Sequence, residues 1–102
     1  MTNNEKKTVI DTYALYLRWA AAGGVKGPPV AIMTTEQAAE VEACIREAAK
    51  EMTPLERFAL QGRIEGQSGS RMAEISGYSR LSVYQALNAA IQKIDFNNFK
   101  EV

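Results

Sequence analysis

The sequence contains 102 residues, with 12 basic and 12 acidic side chains and a formal net charge of zero at pH 7. This length suits a single domain, residues 1–102, and the neutral charge argues against a large basic footprint for non-specific nucleic-acid binding. One cysteine excludes an internal disulfide and the lack of histidine disfavours the common metal sites, so we expect Cys44 to be a buried structural thiol.

The first predicted helix covers residues 8–22, where apolar side chains recur at helical spacing. Thr8 or Asn4 can cap this helix, and the polar residues 1–7 before it are expected to be frayed. Trp19, near the end of the helix, is interpreted as an anchor in the core or in an interface rather than as a stacking platform.

Residues 23–33 are predicted to form a connector, because Pro28 and Pro29 exclude a helix there. Three apolar residues suggest that the connector packs back onto the body of the domain: Val30, Ile32 and Met33. A connector of this kind also allows the first helix to exchange with a second chain, so a homodimer is one expectation.

Capping sequences predict the starts of the next two helices. Thr34 with Gln37 predicts the start of a helix over residues 34–51, whose charged side we interpret as solvated. Thr53 with Glu56 predicts the start of another, at which Pro54 suits the first helical position. The core candidates of this second helix are Leu55, Phe58, Ala59, Leu60 and Ile64, whereas Arg57 and Arg63 are expected to face outward.

The stretch from Ser70 to Leu87 predicts a short helix, a tight turn at Gly77 and a second helix capped by Ser79. A small residue, Ala73, allows the two backbones to approach closely. The predicted apolar side of the second helix consists of Tyr78, Val83 and Leu87. This pattern is typical of a DNA-binding helix-turn-helix, although a plain helical hairpin has the same features.

The second motif helix is predicted to continue to Ile94, completing a module over residues 53–94. Its polar side carries side chains able to bind base edges or phosphates: Arg80, Ser82, Gln85, Asn88 and Gln92, with Tyr84 beside them. The same residues are also ordinary on a solvated helix. In the tail, residues 95–102, Phe96 and Phe99 are expected either to dock onto the domain or to form a small patch for a partner.

The chain as a whole argues against catalysis and against a membrane location. It has no Gly-rich phosphate loop and no nucleophile–base pair that spacing reveals, so we expect neither enzymatic activity nor a cofactor. The first residues lack the basic start and the apolar run of a signal peptide, and no apolar stretch approaches the length of a membrane span. A cytoplasmic protein without membrane contact is therefore expected.

The order of these features resembles the fourth region of sigma-70-type factors. The features concerned are the helix from Thr53 to Leu60, the glycine-containing turn from Gly62 to Ser70, Met72 to Ile75, Gly77 to Ser79, Val83, Leu87, Ala90 and Ile94. Ser76 stands where that module usually has a bulky apolar residue, which Ile75 is expected to replace in part. Among small phage proteins, the chain looks like the Q-type antitermination family. Members of that family have an N-terminal helix with a Trp, then an irregular stretch and a middle helix. In this chain the same places are taken, in order, by Trp19, Gly23–Met33 and Thr35–Glu51.

This resemblance implies binding at a phage promoter region and contact with RNA polymerase, with an effect on pausing or termination. It places at the DNA groove Ser79, Arg80, Ser82, Tyr84 and Gln85, with Arg71 against phosphate. Our leading hypothesis is an all-α domain of four to five helices from a phage or prophage. It would regulate transcription by binding double-stranded DNA through residues 79–88, which include Asn88. The alternative is a helical adaptor or inhibitor that binds a host protein and lacks DNA affinity.

Overall fold

Five α-helices account for most of the residues that the computed structural model describes, which are 1–23 and 33–96. They are α1 (Asn3–Ala21), α2 (Thr35–Ala49), α3 (Pro54–Glu65), α4 (Gly69–Ser76) and α5 (Arg80–Lys93). Because these ranges contain no strand, the predicted all-α class is confirmed. No helix within them is both long and apolar enough to cross a membrane.

The starts of α2 and α3 are those that the capping sequences predict. Thr34 accepts a hydrogen bond from the Gln37 N–H at 3.1 Å, and the Gln37 side chain accepts one from the Thr34 N–H at 2.8 Å. Thr53 and Glu56 form the same reciprocal pair at the start of α3, with Pro54 as its first residue. Each pair satisfies two backbone N–H groups that a helix N-terminus otherwise leaves without acceptors.

The predicted start of α1 is wrong. The helix begins at Asn3 rather than Thr8, and Thr2 caps it in a reciprocal pair with Glu5. Thr8 lies inside the helix, where its hydroxyl donates to the Asn4 carbonyl at 3.1 Å. Residues 3–7 are therefore helical and not frayed, because a capping box stabilises a first turn that has no apolar stripe.

The core lies where α5 packs against α3 and α1, with α2 and α4 on its flanks. Its most deeply buried large side chains are Ile10, Val41, Met72, Val83, Leu87, Ile91 and Ile94. Phe96 is also buried, which confirms its predicted docking, whereas Phe99 lies outside the described residues. Of the predicted connector, residues 24–32 lie outside them too, and Met33 packs against the core.

Trp19 and Cys44 are half-buried beside this core. The Trp19 ring lies 6.0 Å from that of Tyr16, and its buried Nε1 finds no acceptor among the described residues. Burial raises the pKa of the Cys44 thiol, which keeps the thiol protonated and unreactive at neutral pH.

Two ion pairs connect distant parts of the chain. Arg63 donates two hydrogen bonds of 2.9 Å to the carboxylate of Asp11, joining α3 to α1. Arg63 faces outward only in part, because its guanidinium meets a carboxylate 52 residues away and its side chain is half-buried. Lys93, in the last turn of α5, contacts Glu56 at 2.6 Å and donates to the Glu51 carbonyl at 2.9 Å. These two contacts fix the C-terminal end of α5 to the start of α3.

We expect Glu56→Gln to lower the free energy of unfolding by about 1 kcal/mol at pH 7. Glutamine still accepts the capping hydrogen bond, as Gln37 does in α2, so the change removes mainly the ion pair with Lys93. Urea denaturation at several pH values measures the effect. The matched control is Glu5→Gln, which changes the same capping position in α1, where no lysine contacts the carboxylate.

The effect of Glu56→Gln should disappear in acid. The hydrogen bond from Lys93, followed by that from the Thr53 backbone, holds the pKa of Glu56 below its ordinary value of 4.5. The stabilisation is present above that ordinary value and is lost as the pH falls through the lower pKa of the folded protein. If the free energies of unfolding of the unchanged protein and of Glu56→Gln differed by the same amount down to low pH, the ion pair would not be the cause of the difference.

Candidate nucleic-acid interface

The corner between α4 and α5 is built by a glycine and a serine. Gly77 follows α4 with a φ of 77°, a left-handed conformation that favours glycine, and its N–H donates to the Ala73 carbonyl at 3.0 Å. No atom lies within 4 Å of the position that a Gly77 Cβ would take, so glycine is needed there for its backbone rather than for space. Ser79 then caps α5 by accepting from the Ser82 N–H at 3.1 Å.

Tyr84 connects α5 to the start of α4. Its ring and hydroxyl lie so close to Gly69 that a Cβ at this position would collide with them. Gly69 is buried as the first residue of α4, whereas Tyr84 remains partly exposed. Tyr84 therefore holds the two helices together at one end of the corner, in addition to any contact that its exposed edge can make.

The N-terminal part of the outward face of α5 is formed by four exposed residues at helical spacing, Leu81, Tyr84, Gln85 and Asn88, and the exposed Gln92 follows one turn after them. The opposite side of the helix is buried through Val83, Leu87, Ala90 and Ile91. This placement leaves the amide side chains of Gln85 and Asn88, which can both donate and accept hydrogen bonds, facing solvent one turn apart. We call Leu81, Tyr84, Gln85 and Asn88, together with the exposed Arg80, the α5 outer face.

The two arginines of the predicted site differ in their surroundings. Arg71 lies in the first turn of α4 and makes a long, exposed ion pair of 3.6 Å with Glu74. Arg80 is the first residue of α5 and is exposed. Its side chain makes no hydrogen bond or ion pair with the part of the chain that the structure describes. Arg80 is therefore available to a ligand, and Arg71 becomes so if it gives up a weak surface contact.

Ser79 and Ser82 are occupied by the cap of α5. The Ser79 hydroxyl donates to that of Ser82 at 3.0 Å while accepting from the Ser82 backbone. Ser82 is half-buried and lies on the flank of the helix rather than on the α5 outer face. Ser82 lies three residues before Gln85 and neighbours it on the helix, but its half-buried hydroxyl already accepts a hydrogen bond from Ser79.

Two predictions at this corner are wrong. Tyr78, expected on the apolar side of the second helix, is 55% exposed, because it lies in the turn before α5 and does not follow the helical period. Ile75, expected to replace a bulky core residue, is 49% exposed. The core beneath α4 is instead supplied by the buried Met72, whose thioether lies against Gly62 of α3.

The first turns of the five helices differ in charge. In α1, α2 and α3 the first turn contains a glutamate, whereas in α4 and α5 it contains no acidic residue. From Gly66 to Ile94 the sequence has one acidic residue, Glu74, against Arg71, Arg80 and Lys93. Because a helix N-terminus carries a partial positive charge, the starts of α4 and α5 favour anions although the whole chain is neutral.

Leu81 is the residue of this face that the sequence analysis missed. It is 67% exposed, the largest exposed fraction among the large apolar side chains of the described residues. Its signal in the sequence is its position four residues before Gln85 and seven before Asn88, which places all three on one stripe.

A cleft on another side of the domain offers a different surface. It has a volume of about 250 Å³, lies between α1, α2 and α3, and is lined by Tyr13, Leu17, Glu42, Ile45, Arg46, Gln61 and Ile64. Leu17 of α1, which lines the cleft, is 37% exposed. These features suit contact with another protein better than contact with nucleic acid.

Comparisons of this chain with protein-family models, with curated proteins and with solved structures found no match. The functional interpretation therefore depends on the chemistry of the described residues themselves.

Proposed function

We propose that this protein binds double-stranded DNA and regulates transcription, with α5 reading base edges in the major groove. The observation that carries the proposal is the α5 outer face, on which Arg80, Gln85 and Asn88 are exposed and no acidic residue occurs. Arginine can donate two hydrogen bonds to guanine, and glutamine or asparagine can form a bidentate pair with adenine. A helix fits the width of the major groove, whose edges distinguish all four base pairs.

The phosphate contacts would come from the starts of α4 and α5. Each of these helices presents an N-terminus without an acidic residue, and α4 adds Arg71 in its first turn, while Arg80 of α5 faces the bases. Backbone N–H groups at such ends bind anions, and phosphate contacts of this type fix the register of a protein on DNA. Gly77 sets the direction of α5 relative to α4 and thereby the relative placement of their two N-termini.

The small number of cations limits the affinity that this face can supply alone. Phosphate neutralisation provides most of the affinity of non-specific DNA binding, and only two arginines lie in the first turns of α4 and α5. A second protein that holds the complex together is therefore part of the proposal. The resemblance to phage antitermination proteins of the Q type makes RNA polymerase the partner that we propose.

Binding of random duplex DNA should weaken measurably as salt rises. One phosphate contact, made by Arg71, predicts about a threefold to fourfold loss of affinity between about 50 and 200 mM salt. Fluorescence anisotropy of a labelled random duplex measures this slope. Arg71→Ala should lower the number of released ions by about one. Arg46→Ala, which removes an exposed arginine in an ion pair on α2, should leave the slope unchanged.

A second candidate function is a protein-binding adaptor that keeps this helical arrangement without binding DNA. The specific observation that favours it is the cleft between α1, α2 and α3, with the exposed Leu17 in its lining. An adaptor should not bind random duplex DNA even at low salt. That result would contradict the proposed function, and a salt-dependent interaction would contradict the adaptor.

A further inference from the structure

Leu81 is an unusual residue for a solvated helix surface. It is 67% exposed in the first turn of α5, immediately after Arg80. On the same stripe, Gln85 follows one turn later and Asn88 two turns later, and both are exposed. An apolar side chain thus stands at the N-terminal end of a row that otherwise offers hydrogen-bonding groups.

The position of Leu81 decides what it can contact if α5 enters the major groove. The N-terminal residues of a recognition helix are those that reach base edges. Among the groups that base pairs present in the major groove, the C5-methyl group of thymine is the apolar one, and apolar side chains contact it. A leucine in the first turn therefore has one matching group on the DNA, whereas Gln85 and Asn88 match hydrogen-bonding edges.

We propose that Leu81 is a specificity-determining residue that packs against a thymine methyl group. This inference rests on the proposed function and adds to it a feature of the DNA target. One helical turn advances about 5.4 Å and one base-pair step about 3.4 Å. The thymine should therefore lie one or two base pairs from the base that Gln85 reads.

Deoxyuridine provides the test, because it keeps the hydrogen-bonding groups of thymidine and lacks the methyl group. The target is first selected from random duplex DNA at moderate salt with the full-length protein. Each thymine of the selected site is then replaced singly by deoxyuridine. At one position we expect about a fourfold loss of affinity, which corresponds to the burial of one methyl group.

Two leucine variants assign that loss to a residue. Leu81→Ala should bind the thymine and deoxyuridine duplexes equally well. Leu15→Ala, which removes a comparably exposed leucine from α1, should keep the fourfold difference. Because Leu81 is exposed, its replacement should not unfold the protein, and circular dichroism of both variants verifies this.

The possible results separate this inference from the proposed function. Selection of a site whose thymines all tolerate deoxyuridine, or a site without thymine, overturns the role of Leu81 and leaves DNA reading by α5 intact. A methyl effect that persists in Leu81→Ala also overturns it. So does a result in which Leu81→Ala binds the thymine and the deoxyuridine duplexes more weakly than the unchanged protein by the same factor, which would suit docking of another protein. Failure to select any sequence, both with the protein alone and with RNA polymerase present, would overturn the proposed function as well.

Discussion

Leu87→Ala is expected to lower the free energy of unfolding by about 3 kcal/mol. Leu87 is 2% exposed and belongs to the core that α5 forms with α3 and α1. Truncating it removes buried apolar surface and leaves a cavity that the packed neighbours fill only in part. Because domains of this size are stabilised by roughly 5–15 kcal/mol, the change should consume a large share of the total.

Urea denaturation followed by circular dichroism measures this loss through the transition midpoint, provided that the slope of the transition stays constant. Leu81→Ala is the matched control, because it removes the same atoms from the exposed side of the same helix. It should change the free energy of unfolding by less than about 0.5 kcal/mol. Equal losses in the two variants would show that α5 does not have the buried and exposed sides described above.

Arg80→Ala combined with Gln85→Ala should reduce sequence-specific DNA affinity by about a hundredfold or more. Each bidentate contact to a base discriminates by about 1–3 kcal/mol, so the loss of two contacts removes most of the preference for a selected site. Competition between the selected duplex and random duplex DNA at fixed salt measures specificity separately from general affinity.

The control for this double variant is Arg46→Ala combined with Gln61→Ala. It removes the same two residue types from the cleft between α1, α2 and α3, and specificity should be unchanged. Full sequence-specific binding by the Arg80 and Gln85 variant would mean that another surface reads the DNA. Because Arg80 and Gln85 are both exposed, their replacement should not unfold the protein, which the thermal midpoints of the variants test.

Capping sequences make the starts of helices predictable from the sequence. Thr34 with Gln37 and Thr53 with Glu56 identified the starts of α2 and α3 correctly, because the hydrogen bonds involved are local. Thr2 and Glu5 have the same spacing, but the apolar period alone predicts a start at Thr8 and carries no signal for the turn before it. A capping box and an apolar stripe are independent signals, and α1 shows that the first can start a helix without the second.

The candidate site was predictable where the helical period applies and not elsewhere. The helical period places Gln85 and Asn88 on the exposed side of α5. The period does not extend into the turn before the helix, where Tyr78 is exposed. Apolar residues are assigned by default to the core, which is why Leu81 was overlooked. The pairing of Arg63 with Asp11 has no local signal at all, because contacts between distant segments depend on the tertiary fold.

The missing acidic residue at the start of α4 also has a consequence for local stability. This helix has eight residues, and of these Gly69 and Met72 are buried, so little packing opposes its opening. Its uncompensated dipole and Arg71 raise the energy of the folded form slightly, by a few tenths of a kcal/mol. A DNA phosphate near the start of α4, as in the proposed function, would relieve this cost. Ligand binding would thus be coupled to the folding equilibrium of one helix, and α4 would become ordered most firmly when the site is occupied.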